Sequence, residues 1–415
     1  MTARCGLLGQ NLGHSYSPSI HKSFGLSYSY ELFEVEPPEL APFLEKGNFH
    51  GLNVTIPYKT AVIPFCKSLS PIALSIGSVN TILRQKDGSL YGDNTDAAGF
   101  LTMIERSGIS VKNKKALILG SGGSSLTVKT VLKNLGAHEI IVISRHGNET
   151  YENLNRHKDA AIIVNTTPVG MYPRTGKTPV ELEIFPHLEG VLDLVYNPAR
   201  TRLIMDAERL GLPHISGLAM LVSQARFSAE LFAGHVVDAS KEKAVLSSLS
   251  TQMENIILVG MPGCGKTTVG SALAEIMGRP FCDADIILES DAGMSITEIF
   301  EKEGVESFRN RETKVLEKLG KESGLVIATG GGCVTRDENY ALLHQNGKII
   351  FLDRNISLLE RAGRPLSLNA DLNEMYAERL PLYQHFADLS VENNTEVYNV
   401  AKNIFKKITK KFNLL

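Results

Sequence analysis

Residues Gly260-Met261-Pro262-Gly263-Cys264-Gly265-Lys266-Thr267-Thr268 carry the spacing G-x-x-x-x-G-K-T. An apolar, β-branched run, Asn255 to Val259, precedes them, and a helical stretch, Val269 to Met277, follows. Strand, glycine loop and helix in that order make a phosphate cradle. Glycines let backbone N–H groups turn toward phosphate oxygens, and the helix N-terminus adds partial positive charge. Gly263, Cys264, Gly265 and Thr268 complete the loop. Lys266 is placed to reach the β- and γ-oxygens, and the Thr267 hydroxyl to ligate Mg²⁺. The motif alone occurs by chance, but its strand and helix favour a nucleotide site over a plain glycine-rich turn. Further on, Phe281 to Asp285 ends a strand with two carboxylates, Asp283 and Asp285, one residue apart. On an extended chain both face the same way. One near Mg²⁺ and one near an acceptor hydroxyl is the arrangement phosphoryl transfer needs. The strand Leu325 to Thr329 opens into Gly330-Gly331-Gly332, where backbone can approach a ligand closely.

A second set of polar positions lies in the first half. The strand Gly51 to Ile56 runs into a polar end, so Asn53, Thr55 and Lys59 gather near one edge. Asn80 lies in Gly77-Ser78-Val79-Asn80-Thr81, and Asp96 in Gly92-Asp93-Asn94-Thr95-Asp96. Gly13-His14-Ser15-Tyr16-Ser17-Pro18 puts two hydroxyls two residues apart; Pro18 at a first helical position also makes Ser17 an N-cap candidate. A buried-strand run, Lys115 to Leu119, leads into Gly120-Ser121-Gly122-Gly123-Ser124-Ser125 and a helix to about Leu135. This is a dinucleotide-binding βαβ pattern. Its second strand, Glu139 to Ile143, ends at Ser144-Arg145. An acidic residue there would suit a ribose 2′-hydroxyl; Arg145 suits a 2′-phosphate, or is a solvated loop cation.

The elements that must position these groups alternate as strands and helices, so the fold class is α/β throughout. A chain of 415 residues suits two or three domains. Hydrophobic content of 43%, charged content of 21% and a net charge of −2 fit a globular protein and favour neither nucleic acid nor a membrane surface as partner. The five cysteines, Cys5, Cys66, Cys264, Cys282 and Cys333, lack C-x-x-C spacing, so neither a disulfide framework nor a zinc site is expected, and a reducing cytoplasm fits. No signal peptide or membrane-spanning run is read. Residues 239–253 are polar and serine-rich; they read as a linker with exposed backbone, where a cut near Ser247 to Thr251 is tolerated. The alternative is a helix carrying Val245, Leu246 and Leu249 across both halves.

The first half resembles shikimate dehydrogenase over residues 1 to about 238. The resemblance rests on S-x-S-P-x-I-H, N-V-T-x-P-x-K, G-x-V-N-T, G-D-N-T-D, the glycine loop, N-T-T-P-x-G-M and the run Gly217 to Gln224. It implies a substrate-binding α/β domain over 1–98 and 215–238, with an NADP-binding Rossmann domain over 99–214. By resemblance, Ser15, Ser17, Asn53, Thr55, Asn80, Asp96, Tyr196 and Gln224 hold shikimate. The catalytic pair is Lys59 and Asp96. Gly120, Ser121, Gly122, Gly123, Ser124, Ser144, Arg145, Leu194 and Gly217 hold NADP(H). The chemistry agrees: hydride addition to a ketone leaves an alkoxide that must take a proton, which Lys59 can give while Asp96 orients it. Ser144 stands where the family often has Asn, and the segment after Arg145, which the family often fills with further basic contacts to the 2′-phosphate, is short.

Residues 255 to about 412 resemble shikimate kinase through G-x-P-G-x-G-K-T, D-x-D, E-x-F-R, G-G-G, R-P-L and R-x-P-L-Y, which implies a P-loop domain with a parallel sheet over 254–415. The resemblance implies ATP and Mg²⁺. It implies that Asp285 positions the attacking hydroxyl, Arg309 and Arg379 clamp the carboxylate, and Gly331 packs on the ring. Asp283 supports the metal with Thr267, Arg364 is the lid cation, and Arg361 lies by the adenine. The lid is short, with only Ala362 and Gly363 between the two arginines. The lysines of the C-terminal helix are read as a solvated face. The expected function is bifunctional: reduction of 3-dehydroshikimate, then phosphorylation of shikimate. Rival readings are a kinase with a ligand-sensing, catalytically silent first half, a quinate dehydrogenase using NAD, and a kinase for a gluconate-type acceptor. The sequence leaves the oligomeric state open.

Overall fold

The computed structural model describes residues 3–13, 15–360 and 371–412. The chain divides into two compact units. One comprises 1–171, 177–196 and 203–248; the other comprises 172–176, 197–202 and 249–415.

Two sheets build the first unit. The strands β1 (Ala3–Gly9), β2 (Tyr28–Glu34), β3 (Gly51–Val54), β4 (Cys66–Leu69), β5 (Thr81–Arg84) and β6 (Leu90–Asp93) lie in the order β2-β1-β3-β5-β6-β4. The sheet is mixed: β1 runs parallel to β2 and β3, while β5 runs antiparallel to β3 and β6. Every residue of β3 is buried, so its apolar Leu52 and Val54 anchor the core while Asn53 needs partners inside it. The strands β7 (Lys115–Leu119), β8 (Glu139–Ile143), β9 (Ile162–Asn165), β10 (Gly190–Asp193) and β11 (His214–Ser216) form a parallel sheet in the order β11-β10-β9-β7-β8. The near-continuous apolar runs of β7, β9 and β10 are buried, as a parallel sheet covered on both faces requires. The chain passes from β7 to β8 on one side and returns to β9 on the other. The carboxyl ends of β7 and β9 are therefore a topological switch point, where such sheets bind ligands.

Two helices of this unit carry Asp96 and Gln224. Thr95–Ser107 begins at Asn94, whose side chain accepts from the Ala97 amide, and ends at Gly108 with φ 68°. Leu218–Ala233 ends at Gly234 with φ 71°. The two pack against each other at Gly99, where a β-carbon would lie 2.8 Å from the Met220 carbonyl oxygen and 2.9 Å from the Gln224 Cβ. This close approach sets the spacing between Asp96 and Gln224.

The serine-rich stretch is not an exposed linker. Ala239–Met253 is a helix, and the division between units falls inside it, between Ser248 and Leu249. Val245, Leu249 and Met253 recur every four residues and are all buried, which is a helical apolar stripe. A cut at Ser247 to Thr251 would break that helix rather than a loose tether.

The second unit has one parallel sheet. Its strands β12 (Asn255–Val259), β13 (Phe281–Asp283), β14 (Val326–Ala328), β15 (Gly347–Asp353) and β16 (Leu389–Glu392) lie in the order β13-β14-β12-β15-β16. Central β12 is wholly buried. The helix Lys266–Met277 follows its glycine loop. The helix Ile296–Lys321 starts with a Ser295–Glu298 capping box and breaks at Gly304, φ 84°. The C-terminal helix Val397–Phe412 buries Val400, Ala401, Ile404 and Ile408 and exposes Lys402, Lys406 and Lys407. Among the described residues, no helix is long and apolar enough to cross a membrane.

Candidate active sites

In the first unit, Ser15, Ser17, Asn53, Thr55, Lys59, Asn80, Asp96, Tyr196 and Gln224 line one cavity of about 250 Å³. Ser124, Leu194 and Gly217 reach the same cavity, together with Leu7, Val54, Met220 and Leu221. Lys59 Nζ lies 2.5 Å from Asp96 Oδ2, with side chains 20% and 12% exposed. Asp96 stands in the first turn of its helix, where the helix dipole favours the carboxylate.

The amides around this pair are held from behind. Asn53 Oδ1 accepts from the Tyr30 hydroxyl at 2.8 Å and from Ser228 Oγ at 3.3 Å, and its Nδ2 donates to Thr81 Oγ1. Asn80 Oδ1 accepts from the Thr95 amide at 2.7 Å, while its Nδ2 donates to Thr95 Oγ1. The supporting residues Tyr30, Thr81, Thr95 and Ser228 are not singled out by the sequence. The expected cap at Ser17 is not formed. The helix starts at Ser17, its N-cap position is Tyr16, and Ser15 Oγ accepts from the Ser17 amide at 3.2 Å. Ser15 takes the turn-forming role, and Ser17 lines the cavity with its side chain hydrogen-bonded to Tyr30.

Tyr30 also stacks on His21, with ring centroids 3.9 Å apart, and His21 Nδ1 lies 2.7 Å from the Tyr28 hydroxyl. Burial pushes the His21 imidazole down to about 3. An unfolded histidine protonates near 6.5. Between those values the unfolded chain binds the extra proton and the folded chain does not, so this unit loses stability as the pH falls through that window. Thermal melts of the intact chain against pH should show the fall, and His21→Gln should melt lower at neutral pH but with a shallower acid slope. Equal slopes would remove His21 as the cause.

At the switch point, Gly120 has φ 101°, and a β-carbon there would lie 2.8 Å from Thr167 Cγ2. Gly122 caps the helix Gly123–Asn134, and β-carbons at Gly122 and Gly123 would meet nothing within 4 Å. The loop thus offers open space against backbone at a helix N-terminus, a fit for a pyrophosphate. Ser121 is exposed beside it. Ser144 bridges to Thr150, and its amide donates to the Glu149 carbonyl, closing a short loop that leaves Arg145 exposed. Gly217 lies against Leu194: a β-carbon there would be 2.1 Å from the Leu194 oxygen.

In the second unit the phosphate loop meets the D-x-D and triple-glycine segments around a cavity of about 220 Å³. Gly263 and Gly265 have φ 81° and 91°. Lys266 is buried, and its Nζ donates to the loop carbonyls of Gly260 and Met261 at 2.9 and 3.1 Å. Gly263, Gly265, Lys266, Thr267 and Thr268 line the cavity, whereas Cys264 is fully buried behind it, its carbonyl accepting from Asn393 Nδ2. Thr267 Oγ1 donates to Asp283 Oδ2 at 2.7 Å. A hydroxyl and a carboxylate beside a phosphate cradle are the hard oxygen donors Mg²⁺ takes.

Asp283 and Asp285 are not two positions of one strand. Asp283 ends β13 and caps the helix Ala284–Ala292, accepting from the amides of Asp285 and Ile286. Asp285 stands in the first helical turn, yet both carboxylates still line the cavity. Burial pushes the Asp285 carboxyl up to about 6; Glu312 and Asp283 add to this, while Lys266 and Arg309 oppose it.

Glu312 is the principal residue the sequence reading passes over. Its side chain is 1% exposed and Oε2 lies 2.6 Å from Arg309 Nη1. Burial raises its pKa against the pull of Arg309. Its other oxygen, Oε1, has no hydrogen-bond partner among the described residues, so the site presents an orphan acceptor to a hydroxylated ligand. The i,i+3 spacing from Arg309 on one helix was a legible signal. Arg379 Nη1 donates to the Gly331 carbonyl at 3.2 Å, and the Tyr383 hydroxyl donates to the same oxygen. A β-carbon at Gly332 would lie 2.0 Å from Arg309 Nη2, and one at Gly331 2.7 Å from Pro262. Arg361 and Arg364 lie outside the described residues.

Comparison with known proteins fits this geometry. Residues 262–409 match the family model described as shikimate kinase, and residues 7–82 match that of the shikimate dehydrogenase substrate binding domain. The chain is 36% identical over 263 residues to a shikimate dehydrogenase (NADP(+)) of Syntrophomonas wolfei, covering 56% of this chain and 90% of that protein. It is 37% identical over 246 residues to the corresponding Clostridium beijerinckii protein, covering 55% and 90%. Among solved structures, a chorismate mutase/shikimate 5-dehydrogenase fusion protein from Clostridium acetobutylicum superimposes with a TM-score of 0.57 at 36% identity, covering 60% of this chain and 97% of that one. A Thermus thermophilus shikimate 5-dehydrogenase, solved in complex with NADP(H) and shikimate, gives 0.54 at 34% identity, covering 59% and 99%. The chain therefore belongs to the shikimate dehydrogenase family through its first unit and carries a shikimate kinase domain in its second, as a bifunctional enzyme of the shikimate pathway.

Proposed function

We propose that the first unit reduces 3-dehydroshikimate to shikimate with NADPH, and that the second phosphorylates the shikimate 3-hydroxyl with ATP and Mg²⁺. The observation that carries the first half is the Lys59–Asp96 pair, 2.5 Å apart in a cavity lined by amide and hydroxyl groups. Bound NADPH supplies the hydride. Ser15, Ser17, Asn53, Thr55 and Gln224 hold the ring substituents, with Asn53 preoriented by Tyr30 and Ser228. Tyr196, edge-on to Tyr16, closes the wall. Lys59 gives its proton to the oxygen that becomes alkoxide, and Asp96 keeps the ammonium aimed. A merely ligand-sensing first half would have no need of that ion pair. The five cysteines are all free, which suits a reducing cytoplasm.

In the second unit, bound ATP with Mg²⁺ supplies the phosphoryl group. The backbone from Gly263 to Gly265 and the Lys266 ammonium would hold phosphate oxygens, and Thr267 and Asp283 would hold the metal. Asp285 accepts a hydrogen bond from the attacking hydroxyl. Arg309 and Arg379 face the carboxylate, for which a planar fork is the suitable donor. The test is an assay of each half-reaction on the intact chain, 3-dehydroshikimate with NADPH and shikimate with ATP. Absence of either reaction overturns that half.

In this reading Arg145, exposed after the second strand of the dinucleotide-binding sheet, is the contact to the 2′-phosphate. Arg145→Ala should raise the KM for NADPH about 10- to 150-fold, the worth of a charge-assisted hydrogen bond, and should leave the weaker use of NADH nearly unchanged. Steady-state kinetics with both cofactors check this; equal losses would return Arg145 to the solvent.

A further inference from the structure

We infer that Glu242, in the first turn of the helix Ala239–Met253, is a positioning residue for the shikimate pocket of the first unit. The inference rests on the reading above that Ser17, Asp96 and Gln224 hold the substrate. Those residues stand on three separate helices: Ser17–Ser23, Thr95–Ser107 and Leu218–Ala233. One turn of the helix Ala239–Met253 is bonded to all three. Glu242 Oε1 accepts from Arg106 Nη2 at 2.9 Å, in the last turn of the helix that carries Asp96 in its first. The same oxygen accepts from Ser223 Oγ at 2.7 Å, and Oε2 from Arg226 Nε at 2.5 Å, the residues one before and two after Gln224. Lys241 Nζ donates to the Phe24 carbonyl at 3.1 Å, at the end of the helix that begins at Ser17.

The Glu242 side chain is 5% exposed. A buried carboxylate taking three donors, two of them cationic, makes short, directional bonds that fix its neighbours. Arg226 is held on its other face by Glu230 at 2.6 Å and lies over the Phe227 ring, so it has one available place. Helices are rigid rods, so the position of Arg106 at one end sets that of Asp96 at the other. The Glu242 carboxylate thereby fixes how far Asp96 stands from Gln224 across the cavity. None of these bonds reaches the glycine loop that faces the dinucleotide.

The test uses the intact chain and two variants, with the wild type and Gln224→Ala alongside. Glu242→Gln keeps the volume but removes the charge; Arg106→Gln, on a side chain 32% exposed, removes one donor of three. With kinetics measured well below the melting transition, Glu242→Gln should raise the KM for shikimate on the order of tenfold. The KM for NADP⁺ and the kinase KM for shikimate should stay within about twofold, and Arg106→Gln should show a smaller rise of the same kind. A role in folding alone would lower the melting temperature and leave the shikimate KM in place; that result, or equal rises in both dehydrogenase KM values, overturns the inference. If Glu242→Gln does not fold, an unchanged shikimate KM in Arg106→Gln overturns it. If Gln224→Ala raises the shikimate KM and neither other variant does, the clasp alone fails. If Gln224→Ala is itself without effect, the placement of shikimate fails and the clasp with it.

Discussion

Lys59→Ala should lower dehydrogenase turnover by about 10²–10⁴-fold, the usual worth of a positioned acid–base group. Kinase turnover should not change, because no residue of the second unit takes part. The ion pair with Asp96 is mostly but not fully buried, at 20% and 12% exposure. Water can therefore reach the unpaired carboxylate in the variant, and the loss should fall on turnover more than on folding. A small primary amine added to the variant should restore part of the rate, since it can supply the missing proton donor. Full turnover in the variant would remove Lys59 from the mechanism.

Arg309→Ala should abolish useful phosphorylation of shikimate while leaving ATP binding nearly intact. Two effects combine. The carboxylate of the acceptor loses a fork donor, and Glu312, 1% exposed, loses its cation. Stranding a buried charge costs about 3–5 kcal/mol, so the second unit should also melt lower. The double variant Arg309→Ala with Glu312→Gln separates the two effects. It removes the stranded charge and should recover much of the stability, yet it cannot recover the use of shikimate. Isothermal titration with ATP and with shikimate, alongside melts, reads each term. Collapse of ATP affinity in Arg309→Ala would move that residue to the nucleotide site.

Much of this was legible in the residues. Lys59, Asp96, Asn53, Asn80 and Gln224 come from four separate segments and still line one cavity. Polar residues in motifs flanked by apolar strands have few other places to go. What was not legible was mostly tertiary. Ser17 has the sequence of a cap, but the chain turns one residue earlier and Ser15 takes the bond. The D-x-D spacing suggested two extended positions, whereas Asp283 caps a helix and Asp285 lies within it. The stretch 239–253 reads as a linker because serines dilute its apolar stripe. Val245, Leu249 and Met253 keep the four-residue period that marks a helix. One partner of Glu242 is Arg106, 136 residues away, and no local pattern announces a contact at that separation.

The central claim is that one chain carries both reactions. Intact protein supplied with 3-dehydroshikimate, NADPH, ATP and Mg²⁺ should consume NADPH and form shikimate 3-phosphate, with the Lys59→Ala variant blocked at the first step and still phosphorylating added shikimate. Loss of reduced nicotinamide absorbance is followed alongside chromatographic detection of the phosphorylated product. One phosphorylated product for each NADPH oxidised is the expected result. Phosphorylation of added shikimate with no oxidation of NADPH by the wild-type chain would contradict it, and would leave the first unit as a binding domain.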